Sequence, residues 1–318
     1  MLMSLLKLAA NLAAGLVLAG LSVLGIAALS GIGHRWVDIL AQFTAPVLLA
    51  ALGLTLACLV LRLWPAALVG VLASLLLLVA VWPQWVPPQG AAAAGQPILR
   101  VYSSNLWVGN TDVEAMRRSI VAADADILIL VEVGDAPAAR IDTLLAGYPH
   151  RAIMGRVDHN DGGARSVIAS RFPIDRRLPS RNDGLSAIGA VVETPLGPIN
   201  VFGVHLTRPW PYQYQWGQIT QVMALATRRA DAPDNPVIAA GDFNSVSSAR
   251  IGKQIQADMA LIPAPGWPGT WPSNLPAVAG ITIDQVYRSP DLALVSRRLG
   301  LPTGSDHRPV VTEITRAK

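Results

Sequence analysis

Apolar and polar residues follow two regimes along this chain. Over the first 97 residues apolar side chains run almost without interruption, and from residue 98 they come in short β-branched bursts between charged and turn-forming residues. Three stretches of the first regime, residues 5–29 (or 8–29), 40–61 and 65–81, approach the roughly 20 residues a helix needs to cross a bilayer. Trp36, Trp64, Trp82 and Trp85 sit at their ends, where amphipathic rings settle at headgroup level. The third stretch is short and uses its tryptophans as edges. Segments apolar all round have no face for water, which disfavours buried core helices of a soluble protein. The first stretch also carries signal-peptide features, Lys7 ahead and Gly25-Ile26-Ala27 as a small-residue site. Its apolar run exceeds the ~7–15 residues of a signal core, so an uncleaved helix is the favoured reading.

In the second regime the pattern predicts strands over 98–103, 127–131, 166–170, 188–193, 199–205, 237–240 and 309–314. Helical periodicity covers 112–123, 135–145 and 214–230, with Thr111 and Glu114 spaced as a capping box for the first. Strands with a few helices between them read as a two-layer β core flanked by helices. The expected organisation is a three-helix transmembrane anchor over 1–85, a Pro/Gly/Ala linker over 86–97, and a domain over 98–318. Fully extended, that linker reaches about 40 Å.

Composition sharpens the division. Of the chain's 318 residues 52% are hydrophobic and 14% charged, and only four charged side chains fall in residues 1–97 against 42 in residues 98–318. A wholly soluble, disordered or collagen-like chain is excluded. The formal charge of +4 is shared evenly between the two parts, too balanced to advertise a nucleic-acid binder despite the pI of 9.6. Cys58, the single cysteine, rules out an intrachain disulfide and a cysteine-based metal site. Lys7 and Arg62 fall on one side of the spans and Arg35 on the other. The positive-inside rule then puts the N-terminus in the cytoplasm and residues 98–318 outside a multi-pass inner-membrane protein.

The chemistry gathers at strand ends. Asn105, Glu132 and His205 each end a strand, Asp242 and Asn244 follow one, Asp284 lies in Thr282-Ile283-Asp284-Gln285-Val286, and Asp306 and His307 precede the last strand. Singly, each is more readily a turn former or an ordinary polar residue; six such endings in order are a sharper signal. Here residues 98–318 resemble the endonuclease/exonuclease/phosphatase (DNase I-like) family. The resemblance rests on Ser104-Asn105-Leu106, the 126–132 strand ending in Val-Glu, and Ile168-Ala169-Ser170-Arg171-Phe172-Pro173-Ile174. It continues through Val204-His205-Leu206, Gly241-Asp242-Phe243-Asn244, Ile283-Asp284-Gln285-Val286 and Ser305-Asp306-His307-Arg308-Pro309.

It implies an α/β fold, a four-layer α/β/β/α sandwich, behind the three transmembrane helices. It further implies Glu132 as ligand of Mg²⁺ or Mn²⁺ with Asn105 and Asp306 beside it, and Asp242 as orienting or activating water. Asn244 holds the phosphate, His307 (oriented by Asp284) donates to a phosphate oxygen or moves a proton, and His205 acts from the opposite side. Hard cations favour such oxygen donors, and phosphoryl transfer needs charge neutralisation and positioning. The acidic partner that some nucleases of the family give the histidine matching His205 has only Asp161 as a candidate. No long basic insertion for gripping duplex DNA is present. The arginines 151, 156, 165, 171, 176, 177 and 181 read first as a solvated charged face and second as phosphate steering. The aromatic run 208–216 beside His205 reads equally as loop packing or as a wall for an apolar substrate tail or the bilayer interface.

These readings converge on a membrane-anchored metal-dependent phosphoesterase acting on a phosphate or pyrophosphate ester, with a lipid-linked one favoured by the anchor. An extracytoplasmic nuclease and a non-catalytic membrane scaffold stay open; nucleic acid is not favoured, and five intact site residues argue against the scaffold.

Overall fold

The computed structural model describes residues 2–155, 157–159, 162–178, 183–209 and 215–318. The chain divides into two compact units, 1–86 with 248–250, and 87–247 with 251–318.

The first unit is helical: α1 (Leu2–Leu29), α2 (Arg35–Gln42), α3 (Thr44–Val60) and α4 (Trp64–Trp85). By length and composition α1 and α4 are long and apolar enough to cross a membrane. The expected second span is not one straight helix. It breaks at Phe43, and α2 and α3 meet at a bend of 59°, so three spans result only if that bent pair is a single crossing. The cause lies in α2, whose Arg35, Asp38 and Gln42 give it a polar face that α3 lacks. Leu18, Leu48, Ala51, Cys58 and Leu77 pack together in the interior of the unit. Small residues let the backbones approach, and a Cβ on Gly70 would run into Thr55.

The second unit is built on two sheets. The first joins β1 (Leu99–Asn105), β2 (Ile127–Val133), β3 (His150–Ile153), β4 (Val157–His159), β5 (Gly162–Ser170), β12 (Leu292–Leu299) and β13 (Val310–Arg316) in the order β12-β13-β1-β2-β5-β3, with β4 on β5. The second joins β6 (Ile174–Leu178), β7 (Ser186–Thr194), β8 (Gly197–His205), β9 (Val237–Asp242), β10 (Ile262–Pro263) and β11 (Asp284–Arg288) in the order β10-β11-β9-β8-β7-β6. Only β1–β2 and β8–β9 pair in parallel among the described strands.

Strand alternation explains the layering. Ile127 and Ile129 of β2 meet Val201 of β8 and Ile238 of β9 in a core between the sheets. Leu128 and Leu130 face the other way, onto Met116 and Ile120 of α5 (Val113–Ala123) and onto Leu144 of the short α7 (Ile141–Leu144), which follows α6 (Asp135–Ala139). Phe202 and Val204 of β8 pack outward on α8 (Gln215–Ala230) and α9 (Arg250–Met259). This is the expected four-layer sandwich. Three local readings need correction. Asp112, not Thr111, caps α5 through Ala115 N at 2.9 Å. The helix expected over 135–145 breaks at Arg140 into α6 and α7. The strands β3, β4, β6, β10, β11 and β12 have no counterpart among the predicted ones.

The connector hugs its own domain. Arg288 Nη2 donates to Pro88 O (2.7 Å), Leu294 N to Gln89 O (2.8 Å), Lys318 N to Ala91 O (2.9 Å) and Thr315 Oγ1 to Pro97 O (2.8 Å). Most of the extended reach of residues 86–97 is therefore taken up along β12 and β13.

Because the inter-sheet core has no solvent-facing side, Ile129→Ala should cost about 2–5 kcal/mol. Val121→Ala, on the exposed face of α5, should stay within about 0.5 kcal/mol. Thermal unfolding of the full chain in detergent reads both, and equal melting would remove the inter-sheet layer as the main source of stability.

Candidate active site

Three titratable side chains stand in one row across the second sheet. Parallel pairing sets His205 of β8 opposite Asp242 of β9, and antiparallel pairing sets Asp284 of β11 opposite the same residue. Gly241, at φ +138°, precedes Asp242; a Cβ there would strike the Val204 carbonyl, so β9 can lie against β8 only with glycine at this point.

The first sheet supplies the facing groups. Asn105 closes β1. Glu132 lies inside β2 rather than beyond a strand ending at Val131, at the place where pairing with β5 slips between Leu130 and Val133. This irregularity leaves Glu132 in left-handed backbone, φ +51°, at a cost of about 1–2 kcal/mol for a residue with a Cβ. Trp107 and Asn244 share that conformation, at φ +58° and +47°. Such strain persists where surrounding structure enforces it, which is common at functional sites.

Everything converges on Asp242, which is 2% exposed. Asn105 Nδ2 donates to Asp242 Oδ2 (3.0 Å) and to Glu132 Oε1 (2.9 Å). Its orientation is fixed because Trp107 N donates to Asn105 Oδ1 (2.8 Å). Asn244 N donates to Asp242 Oδ1 (2.8 Å), while its side-chain NH₂ donates to Leu206 O (2.8 Å) and Asp242 Oδ2 (3.3 Å). His205 Nε2 lies 3.3 Å from Glu132 Oε1 and 3.9 Å from Asp242 Oδ2. His307 Nδ1 lies 2.9 Å from Asp284 Oδ2, and its Nε2 is 3.8 Å from Asp242 Oδ2. Asp306 is the outlying member: 47% exposed, 3.9 Å from His307 Nε2, with Oδ2 accepting from the Trp271 indole (3.2 Å).

Burial pushes the Asp242 carboxyl up to about 6, against the pull of His307. Burial also opposes charging of His307, but Asp284 and Asp242 outweigh it and raise its pKa to about 10. For Glu132 burial works against ionisation too, yet His205, the Asn105 NH₂ and the Val108 N–H together hold it below the usual carboxylate range.

A divalent cation fits this set. Ligand atoms of Glu132, His205 and Asp242 all lie within 4.8 Å of one another, as do those of Asp242, Asp284 and His307. Among the described residues in these contacts, four carboxylates face two imidazoles. Even with both rings protonated, an excess of negative charge remains that a hard cation would offset. Asp306 belongs to neither three-residue group.

Sequence reasoning missed the supports. Thr270 Oγ1 accepts from Ile283 N and Asp284 N, both at 3.2 Å, and Ser305 Oγ accepts from His307 N (3.1 Å). Ser305 opens the Ser305–Pro309 motif, whereas nothing in the sequence marks Thr270. Asp161, the arginines at 156 and 181, and residues 210–214 of the aromatic run lie outside the described residues; Trp216 is exposed. Arg151, Arg165 and Arg171 pair with Asp142, Asp135 and Asp124, in keeping with a charged outer face.

The sequence model of the Endonuclease/Exonuclease/phosphatase family matches residues 102–307, which takes in every residue of this cluster. The chain belongs to that family. Its enzymes are typically phosphoester hydrolases that use divalent metals. An endonuclease/exonuclease/phosphatase from Beutenbergia cavernae shares the fold at TM-score 0.55 and 23% identity, over 69% of this chain and 72% of that one. Mannosyl-6-phosphatase from Bacteroides thetaiotaomicron matches at TM-score 0.54 and 17% identity, over 68% and 99%. Sphingomyelinase C from Streptomyces griseocarneus matches at 0.53 and 18%, over 70% and 100%. No curated protein matches the chain by sequence.

A family member with this arrangement should show the His307–Asp284 contact in its titration. Since the folded pKa is raised, the contact's contribution is fully present below about pH 6.5, where an unfolded histidine is also charged. It is lost as pH rises through about 10. Asp284→Asn should return His307 toward the ordinary range, read by hydrogen–deuterium exchange at the imidazole C2 position. An unchanged titration would remove Asp284 as the cause.

Proposed function

We propose that the chain is a membrane-anchored, divalent-metal-dependent phosphoesterase that hydrolyses a phosphate or pyrophosphate ester near the outer face of the cell membrane, with a lipid-linked ester as the favoured substrate class. The observation that carries the reading is the convergence on buried Asp242 of Glu132 and Asn105 from the first sheet, His205 and Asp284 from the second, and His307 from the segment that leads into β13. Support for the lipid comes from the apolar α1 and α4 and from a charge balance unlike that of a DNA binder. A sphingomyelinase among the fold's relatives is consistent with it.

We assign Glu132 to hold Mg²⁺ or Mn²⁺, with Asp242 the other carboxylate in reach and Asn105 and Asp306 flanking. Bound there, the cation supplies charge neutralisation for the phosphoryl group. Asp242, raised toward neutrality, accepts the proton of the attacking water. Asn244 holds Asp242 in place through its backbone N–H and adjoins the phosphate. Asp284 orients the His307 ring by accepting from Nδ1–H, so Nε2–H faces Asp242 and donates to a phosphate oxygen. His205 stabilises the same charge from the Glu132 side.

Two experiments test this. Glu132→Gln keeps size but removes the ligand charge, and should abolish most hydrolysis of a panel of phosphomonoester, phosphodiester, lipid pyrophosphate and DNA substrates by the full chain in detergent. High Mg²⁺ should restore part of it. Wild-type turnover at low Mg²⁺ removes Glu132 from the metal site, preference for DNA makes the chain a nuclease, and inactivity of the wild type on every substrate makes it a scaffold. For topology, a reporter active only outside the cytoplasm, fused after Lys318, should be active, and one active only inside should be silent; the reverse pattern overturns the extracytoplasmic placement.

A further inference from the structure

The least charged part of the catalytic unit is also an exposed apolar one. From Met259 to Ile283 the chain carries no Asp, Glu, Lys, Arg or His. Within this stretch, residues 266–280 form the connection that leads into β11, and Trp267, Leu275 and Val278 on it are 47%, 47% and 49% exposed. Single exposed apolar residues are unremarkable, but three on one uncharged loop beside a catalytic cluster mark that loop as a contact surface.

The loop's own backbone indicates which kind. Lipid offers no hydrogen bonds, so a segment that meets it must satisfy its polar groups internally. Pro268, Pro272 and Pro276 have no N–H to satisfy. Arg308 turns its guanidinium onto the loop from beneath, with Nη1 donating to Pro272 O (3.0 Å) and Nη2 to Ser273 O (2.9 Å) and Leu275 O. Arg297 Nη1 donates to Pro268 O (2.8 Å), Gly269 N to Ala277 O (2.8 Å) and Ala279 N to Pro276 O (2.9 Å). The side chains face outward while much of the backbone polarity is used inward.

The loop is also fixed to the chemistry. Ser273 N donates to Asp306 O (2.7 Å), Ser273 Oγ to Ser305 O (2.8 Å), and Arg308 N to Thr270 O (2.8 Å), the segment that carries His307.

We propose that the loop 266–280 is a lipid-contact platform: Trp267, Leu275 and Val278 enter the headgroup region of a bilayer and hold the neighbouring Asp306–His307 segment at that surface. The proposal rests on reading α1 and α4 as a membrane anchor. Its occupant is the lipid surface itself, a setting in which tryptophan and aliphatic side chains on a segment without charges of its own are favoured.

The test uses the full chain with Cys58→Ala and single cysteines at Leu275, Val278, Val121 or Met223, each carrying an environment-sensitive fluorophore. The two controls are exposed apolar positions on α5 and α8, the helix layers on opposite faces of the sandwich. Each protein is reconstituted into phosphatidylethanolamine/phosphatidylglycerol vesicles containing doxyl-labelled lipid, and incorporation is read by flotation. Labels at 275 and 278 should be quenched several-fold more than those at 121 and 223. Equal quenching at all four positions in floated vesicles overturns the platform while leaving the anchor intact. Energy transfer between labelled copies without doxyl quenching overturns it in favour of self-association. A chain that fails to float removes the anchor reading, and the platform falls with it.

Discussion

A buried carboxylate between two sheets sets the terms for the second unit. Taking Asp242 out of water costs several kcal/mol even after relaxation. Hydrogen bonds to a charged group return about 1.5–3 kcal/mol each, and Asp242 receives them from Asn105 and Asn244. Gain and cost are of the same order, so the carboxylate is held but not made comfortable. Its pKa rises to about 6 accordingly. A fully compensated aspartate would be a structural anion, and a less compensated one would stay neutral; this one sits between.

The sandwich makes that compromise available. Each sheet alone would present Asn105 and Glu132, or His205, Asp242 and Asp284, to solvent, where high dielectric would weaken every interaction among them. Packing Ile129 and Ile168 against Val201 and Ile238 brings the sheet faces together and leaves their strand ends facing one another. The irregularity in β2 then turns Glu132 out of the ladder toward His205. Apolar burial along the strands thus places polar groups at their ends, and the strain of three left-handed non-glycine residues is borne by the layers behind them.

Much of this was legible in the sequence because the informative residues sit on strongly periodic strands. Ile127–Val131 and Val237–Ala240 announce themselves by β-branching, and Glu132 and Asp242 follow at once. The edge strands β3, β6 and β12 were not legible, since their exposed faces carry arginines and other polar residues that dilute the alternation. Strand β11 was hidden for another reason: Asp284-Gln285-Val286-Tyr287-Arg288 is fully buried yet half polar, satisfied by tertiary contacts such as Arg288 on the Leu292 and Pro88 carbonyls. Likewise, nothing in Thr270 or Trp271 signals a bond to Asp284 or Asp306, because such contacts depend on how a long connection folds back. The break at Phe43 escaped notice because hydropathy averages over the direction of the chain, and a polar face only eight residues long barely moves that average.

Arg288, Arg297 and Arg308 share a habit that links these observations. Each spends its guanidinium on backbone carbonyls: Arg288 on Leu292 and Pro88, Arg297 on Pro268, and Arg308 on Pro272, Ser273 and Leu275. Burial lowers the pKa of all three, yet guanidinium remains charged at neutral pH and donates in a fixed fork that matches adjacent carbonyls. A proline-rich connection cannot close a ladder of its own, because each proline deletes a donor. Arginines from neighbouring strands and from the His307 segment supply the missing donors. The irregular connections next to the site are thereby tied to their neighbours by side-chain bonds, and Asp306 and His307 adjoin a segment anchored without regular structure of its own.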